Sequence, residues 1–431
     1  MSDQIYLHRT CRACKGGLVE FLNLGNHRLN AFPRYVWEIG QIQRVPLILT
    51  VCTECGLVQL DRTVPADWMY RTYWYRSGVN ETMVTELQEI VFHAGELMGI
   101  ASGMRVLDIG ANDGTLLKAY RDIWAARCPY RVAIEPALNL HERLAPNCDE
   151  LIPDYFPSRA LTPGPDHAFD IITAIACSYD VEDPVGFFQA LHDSLAEHGL
   201  AIIQFQDFEH QLYAAAFDTI CHEHLEYYSL WSLTHIFAQA GLSIQRVVHT
   251  PINGGSLRVF LRRREDHVPA EPSVGLQLVR EAQAHLDTPT IRNGDLSAFH
   301  QFKGRVDQAK VQIASAIESA LEQGCIIDVY GASTKGNVLL QVLDIGADTV
   351  RQAIDRSPEK WGFHTITGIP IVDESRAREE PAHLWLCPIW QFKDFMLERE
   401  RWYLEQGGTI LFPLPHTEVR KLDWKLRPEG A

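Results

Sequence analysis

The sequence predicts an α/β protein in which two parallel-sheet domains with crossover helices follow a small N-terminal metal-binding domain. Three observations predict it. Two CxxC pairs lie within the first 55 residues, a strand–glycine turn–helix segment opens at Val106, and a second such segment opens at Cys325. Strands that alternate with helices imply parallel sheets joined by crossover helices. With 431 residues, the chain has room for two to four domains of roughly 100–200 residues each.

Texture divides the chain into three parts. Residues 1–85 are rich in Cys, Arg and aromatics, with short β-prone runs. Residues 86–265 open on an amphipathic helical stretch and continue as alternating apolar strands and helices. Residues 266–431 begin with a mostly helical connector and close with the second strand–helix series. Hydrophobic residues at 46% and charged residues at 22% are the balance of a chain with real cores. The net charge of −16 argues against a surface that tracks nucleic acid, so no nucleic-acid partner is expected. It leaves room for a diphosphate held by helix N-termini and a few local cations. No run approaches the roughly 18 apolar residues of a membrane helix, so no membrane partner is expected. The opening MSDQIYLHRTCRACKGG lacks the apolar run of a secretory signal. Ten cysteines, six of them scattered singly, suit a reducing compartment, and the expected address is the cytoplasm.

The first chemical signal is metal binding. Cys11 and Cys14 form one pair and Cys52 and Cys55 the other, 37 residues on. Each CxxC turn aims both sulfurs at one point, and two such turns complete the tetrahedral S₄ shell that zinc prefers. Gly56 follows, free to take the positive φ that turns backbone N–H groups toward thiolates. Unrelated thiol pairs or a redox CxxC are the alternatives. A redox pair heads a helix in a thioredoxin-like unit, and nothing here has that pattern. With four protein ligands the expected Zn²⁺ is structural.

The second signal is a cofactor turn. VLDIGANDGTLL reads as a buried strand, a tight turn at Gly110, Asn112, Asp113 and Gly114, and a helix start. Asp108 just before the turn repels pyrophosphate and suits a cationic ligand. The next strand, YRVAIEP, ends at Glu135, placed to accept from a ribose diol. A third strand, FDIITAIACSY, would carry a loop over the cofactor. An NAD-binding unit is the alternative, disfavoured by the acidic turn and the missing GxGxxG spacing. The set resembles the class I S-adenosylmethionine-dependent methyltransferases. That resemblance implies backbone approach at Gly110 and Gly114, Asp108 near the methionine end, Glu135 on the ribose and Asp154 on the adenine.

The chemistry must come from elsewhere. The segment TICHEHLEYYS packs His222, Glu223, His224, Glu226 and two tyrosines together. A carbon nucleophile must lose a proton before it accepts a methyl, and a His beside a carboxylate suits that task near neutral pH. A second metal site or a polar surface turn is the alternative; a third ligand is not evident, and a surface turn would hardly be so aromatic. Two further segments read either as chemistry or as packed connections: Tyr73-Trp-Tyr75-Arg-Ser77-Gly, and Asn253-Gly-Gly-Ser-Leu-Arg258. In the C-terminal series, Ser333 and Lys335 open a helix where backbone amides, hydroxyls and a cation could hold an anion. Arg356 and Lys360 follow.

Taken together, CxxC…CxxCGL, YxYxSG, VLDIGANDGTLL, HEHLEYYS, GGSLR, YGAxxKGN and DxxPxKxG resemble, across nearly the whole chain, the three-domain sugar C-methyltransferases that act on nucleotide-linked keto-deoxysugars. The resemblance implies a zinc domain, a class I methyltransferase domain and a C-terminal Rossmann-like domain that helps enclose a nucleotide-diphosphate sugar. It implies His224 as the base on the carbon next to the ketone, with Glu223 beside it and Tyr75 or Tyr73 at the sugar. It extends the sugar contacts to Ser77, Tyr179, Asp180, His222, Asn253, Arg258, Ser333, Lys335, Arg356 and Lys360. Two positions depart from the family pattern. Cys221 stands where a Tyr precedes HEH, and Asp180, next to Tyr179, stands nearest a family His. These departures leave the sugar and the methylated carbon open. Methyl transfer to a sugar oxygen and a non-catalytic binding module are the other readings. The nucleotide and the oligomeric state stay open.

Overall fold

The structure is a computed structural model that describes residues 4–161 and 168–421. The chain forms two compact units. Unit 1 comprises Met1–Phe21, Leu49–His210 and Glu223–Ala298; unit 2 comprises Leu22–Ile48, Gln211–His222 and Phe299–Ala431.

The strands in chain order begin with β1 (Tyr6–Leu7), β2 (Leu18–Arg28), β3 (Arg44–Cys52), β4 (Val58–Leu60) and β5 (Arg62–Thr63). Next come β6 (Arg105–Ile109), β7 (Tyr130–Ile134), β8 (Glu150–Ile152), β9 (Phe169–Ile175) and β10 (Leu195–Gln206). Unit 1 closes with β11 (Glu226–Tyr227), β12 (Leu242–Thr250) and β13 (Ser256–Arg263). Its large sheet runs β12-β13-β10-β9-β6-β7-β8. The strands from β10 to β8 are parallel, and β13 lies antiparallel to both β10 and β12. This is the class I methyltransferase fold that the resemblance implies.

Helices cover both faces of this sheet, so its central strands turn apolar residues to both sides. Successive residues face opposite ways. Val106, Ile171 and Ile202 pack with Leu87, Ile90 and Val91 of the helix Glu81–Met98. Leu107, Ile172 and Ile203 pack with Phe187, Phe188 and Phe237 on the other side. The helix Glu81–Met98 starts where Asn80 accepts from the Thr82 N–H at 3.0 Å, an N-cap, and stops at Gly99.

A second sheet, ordered β11-β4-β3-β2, begins at the cysteine pairs. In it β3 pairs with β4 through Leu49↔Leu60 and Val51↔Val58, and β11 pairs with β4 through Glu226↔Gln59 and Tyr227↔Val58. Glu226 and Tyr227 of the HEHLEYY segment therefore belong to the N-terminal sheet.

Unit 2 holds β14 (Ile327–Tyr330), β15 (Gln352–Ile354), β16 (Ile371–Val372), β17 (Leu384–Leu386), β18 (Thr409–Phe412) and β19 (Glu418–Arg420). Their order is β16-β15-β14-β17-β18-β19, parallel except for β19. The connector forms the helices Pro272–Gln283, Thr288–Arg292 and Ser297–Glu322. Among the described residues no helix is long and apolar enough to cross a membrane.

Candidate active site

The four cysteines converge. One Sγ from each of Cys11, Cys14, Cys52 and Cys55 lies within 4.8 Å of the others, with Cys11–Cys55 at 3.6 Å and Cys14–Cys52 at 3.4 Å. Zinc at about 2.3 Å from each sulfur needs sulfurs somewhat under 4 Å apart, so the set fits the ion. The Gly16 and Glu54 N–H groups donate to Cys14 Sγ and Cys52 Sγ, each at 3.4 Å, which supports thiolates.

The donor turn is built at the C-terminal end of β6. The Gly110 and Ala111 N–H groups donate to the Ile134 carbonyl, at 2.9 and 3.1 Å. Glu135 braces the turn: its carboxylate accepts from the Asn112 N–H at 2.7 Å and the Ala137 N–H at 2.8 Å. Burial pushes its pKa up against those donors. Each oxygen keeps a further lone pair for a hydroxyl, so Glu135 fits a ribose diol. Asp108 is buried and accepts from Thr173 Oγ1 at 2.6 Å; burial, opposed by that hydrogen bond, lifts its pKa to about 7. Asp154, beyond β8, accepts from Tyr155 N–H and Ser158 Oγ, both at 2.8 Å.

Asn112 and Asp113 hold a neighbouring segment. Asn112 Oδ1 accepts from the Ser77 N–H at 3.0 Å, and its amide donates to the Tyr75 carbonyl at 3.1 Å. Asp113 Oδ2 accepts from the Gly78 N–H at 2.9 Å. A Cβ at Gly78 would lie 2.9 Å from Asp113 Oδ2 and from Thr115 Oγ1, so only glycine allows this approach. Tyr75 stays 42% exposed, while the Tyr73 backbone is tied to the Asn139 side chain by hydrogen bonds of 3.0 and 2.9 Å. Two segments that read separately in sequence thus form one structure.

His224 lies across the loop that follows β9. Its ring meets the edge of Tyr179 at 4.8 Å between centroids, and the Tyr179 carbonyl accepts from the Leu225 and Glu226 N–H groups at 2.9 and 3.0 Å. The same loop carries Cys177, whose side chain is 3.1 Å from where a Gly110 Cβ would stand. The Glu223 carbonyl accepts from Tyr70 Oη at 2.6 Å. Asp180 and Glu226 are both pushed well above the usual carboxylate range, chiefly by burial; Glu223 and Glu226 raise Asp180 further, while Arg12 opposes the rise at Glu226.

Other expected sugar contacts are occupied by the fold. Arg258 is fully buried, and its guanidinium reaches Gln204 at 2.9 Å, His93 at 2.8 Å and Glu86 at 2.8 Å, tying β13 to the helix Glu81–Met98. The Asn253 carbonyl accepts from Gln206 Nε2 at 3.0 Å.

Unit 2 contains His222, whose Nε2 donates to the Val45 carbonyl at 3.0 Å. Ser333 caps the helix Thr334–Val342, its Oγ accepting from the Gly336 N–H at 2.9 Å. Burial lowers the Lys335 pKa, while Asp218 and Cys221 oppose that shift. Asp218 accepts from Trp390 Nε1 at 2.8 Å, and burial lifts it to about 6. Lys360 donates to the Ala332 carbonyl at 2.6 Å and pairs with Asp355 at 3.2 Å. Arg356 is exposed, 4.0 Å from Glu374.

Three family models match in sequence along the chain: a zinc binding domain over residues 11–70, a methyltransferase domain over 79–247, and a C-methyltransferase C-terminal domain over 251–415. The second match covers the Glu135-braced turn and the parallel strands β6–β10. The chain is an S-adenosylmethionine-dependent methyltransferase. This methyltransferase is 26% identical over 381 residues to the C-methyltransferase NovU of Streptomyces niveus, across 87% of each chain. Its solved likenesses include an S-adenosylmethionine-dependent methyltransferase from Clostridium acetobutylicum (11% identity, TM-score 0.34, 42% of this chain and 91% of that one). Another is a SAM-dependent methyltransferase from Aquifex aeolicus (18% identity, TM-score 0.31, 41% of this chain and 97% of that one).

Sequence reasoning passed over Arg12, Tyr70, Asp218 and Trp390. Arg12 stood in plain view between two zinc ligands, where its burial was the missing information. Tyr70 lies five residues before Tyr75 in the same aromatic run. Asp218 and Trp390 are 172 residues apart and carry no joint pattern.

Proposed function

We propose that the methyltransferase adds a methyl group to a carbon adjacent to the ketone of a nucleotide-diphosphate-linked keto sugar, through an enolate that His224 generates. The observation that carries this reading is the packing of His224 on Tyr179, in the loop whose Cys177 abuts the donor turn at Gly110. The match to a C-methyltransferase C-terminal domain supports carbon as the acceptor. S-adenosylmethionine, when bound, supplies a methyl group on a positively charged sulfur. Gly110, Asn112, Gly114, Glu135 and Asp154 would hold it, with Asp108 facing the cationic end.

His224 accepts the proton of the acidic C–H on an imidazole nitrogen, and Tyr179 fixes the ring plane. Glu223 stands beside it to favour the imidazolium. Tyr75, held on the donor turn through Asn112, donates toward the ketone oxygen, with Tyr73 and Ser77 near the sugar. Asp180, its carboxyl pushed up by burial and by Glu223 and Glu226, stands where the family carries a His and offers a hydrogen bond to the sugar. His222, Ser333, Lys335, Arg356 and Lys360, all of unit 2, are further residues expected at the sugar or diphosphate, whereas Arg258 and Asn253 are engaged within the fold. The functional division is 1–85 for zinc, 86–265 for the donor and 266–431 for enclosing the nucleotide sugar. The scattered thiols suit a cytoplasmic enzyme.

The test is turnover of a panel of nucleotide-linked 4-keto sugars with a ¹³C-labelled donor methyl. The expected product carries the label on a quaternary carbon in its NMR spectrum. A labelled methyl ether, or no turnover of any keto sugar, overturns the reading.

A further inference from the structure

Asp207, His210 and His249 have no role in the reading above. Sheet register brings them together. Phe205 of β10 and His249 of β12 both stand opposite Leu257 of β13, and Gln206 and Thr250 both stand opposite Ser256. Asp207, the first residue past β10, therefore emerges at the same sheet end as His249. His210 follows on the helix Phe208–Ala214. One ligand atom from each of the three lies within 4.8 Å of the others, and the two imidazole centroids are 6.0 Å apart.

We propose that Asp207, His210 and His249 form a second metal site, for a divalent transition ion such as Zn²⁺, Co²⁺ or Ni²⁺, separate from the four-cysteine centre. Two imidazoles and one carboxylate suit these ions and leave coordination positions open.

The surroundings orient the ligands. Gln277 Oε1 lies 2.8 Å from His249 Nε2, closer than the Arg280 guanidinium at 3.2 Å, and so favours the proton on that nitrogen and the lone pair on Nδ1. Gln277 is itself fixed, its amide donating to Glu281 at 2.9 Å and Glu209 at 3.4 Å. Asp207 is buried and shares a proton with His210 Nδ1 at 3.0 Å; a metal ion takes that proton's place and releases it. Gly255 presses on the His210 ring: its φ is +117°, and a Cβ there would lie 2.7 Å from the imidazole.

Charge also favours a cation. Around His210 the carboxylates of Asp207 and Glu209 are opposed by one guanidinium, Arg280, which is 3.3 Å from Glu209. Metal–ligand bonds of about 2.0–2.2 Å place ligand atoms roughly 3–3.5 Å apart. Closing that gap takes a small rotation of His249, which is exposed, and of the half-buried His210.

The test uses the full chain with its cysteine centre already filled with zinc. Co²⁺ is then titrated by calorimetry and visible absorption. One further equivalent is expected, with d–d bands that lack thiolate charge transfer. His210→Ala and His249→Ala should each weaken it at least about tenfold, and Asp207→Asn similarly, while His285→Ala, on a separate exposed pair with Asp295, leaves it unchanged. Retained zinc and far-ultraviolet circular dichroism report folding, with Asp207→Asn as the mildest change should a histidine variant misfold. No binding of Co²⁺ at millimolar concentration, or equal binding by these variants, overturns the proposal.

Discussion

Arg12, the residue between the two sulfurs of the first CxxC turn, lies 3.6 Å from Glu226, two residues after His224, and both side chains are fully buried. The same guanidinium donates to the Leu60 carbonyl at 2.6 Å and to Thr63 Oγ1 at 2.9 Å, while the Arg12 N–H donates to Gln59 Oε1 at 2.8 Å. Gln59 in turn stands opposite Glu226 in the β4–β11 ladder. The zinc centre and the segment of the proposed base therefore share one buried cation.

Replacing Arg12 by Met should destabilise the fold by about 3 kcal/mol, since it leaves Glu226 without a counter-charge. The Arg12→Met, Glu226→Gln double variant should recover at least about 1 kcal/mol of that loss. Urea unfolding of the four proteins in the cycle measures the coupling. Strict additivity would show that the two side chains do not interact.

Stripping zinc should loosen the second sheet before the first. Without the metal, the cysteine turns lose the crosslink that fixes β3 and β4, on which β11 pairs. Hydrogen exchange should accelerate at residues 58–60 and 225–227 and stay slow in β6 and β9. Uniform acceleration across both sheets would contradict this order.

Gly78→Ala should weaken S-adenosylmethionine binding by about tenfold, which corresponds to about 1.4 kcal/mol. The added methyl meets Asp113 Oδ2 and Thr115 Oγ1 at 2.9 Å and must displace the turn that carries Asn112. Asn112→Ala should act in the same direction, because it releases the Tyr75 and Ser77 backbone. Calorimetry with the intact protein checks both.

Donor affinity should depend on pH through Asp108. Its pKa is raised to about 7, above the value near 3.9 of an unfolded chain, so its contribution to folding stability is complete below pH ~4 and is lost as pH rises toward 7. A cationic sulfonium reverses that preference by favouring the carboxylate. Affinity for S-adenosylmethionine should therefore increase between about pH 6 and 8, and Asp108→Asn should flatten the profile. S-adenosylhomocysteine, with a neutral sulfur, should show the weaker slope.

His224→Ala should abolish methyl transfer and also solvent-deuterium exchange at the acceptor carbon, with donor binding within about twofold of the parent. Exchange that survives the substitution assigns the base elsewhere.

Much of this was legible before folding was considered, because it is local. Two residues set a CxxC turn, and a strand, a turn and a helix start fit within VLDIGANDGTLL, where backbone conformation and apolar spacing decide the outcome. The seven-stranded sheet follows from strand–helix alternation and from strands such as β9, where Ile171 packs on one face and Ile172 and Ala174 on the other. The reversed β13 follows from a connection too short for a crossover: only Pro251–Gly255 separate it from β12.

Tertiary structure alone decided which segments meet. Arg12 and Leu225 are 213 positions apart, and nothing periodic links them. That β11 joins the zinc sheet, that Asn112 and Asp113 clasp residues 75–78, and that Arg258 spends its donors on Glu86, His93 and Gln204 all depend on sheet register and on where polar groups are buried. A buried donor or acceptor must find a partner wherever the chain has been brought close, and that choice is made in space, not along the backbone.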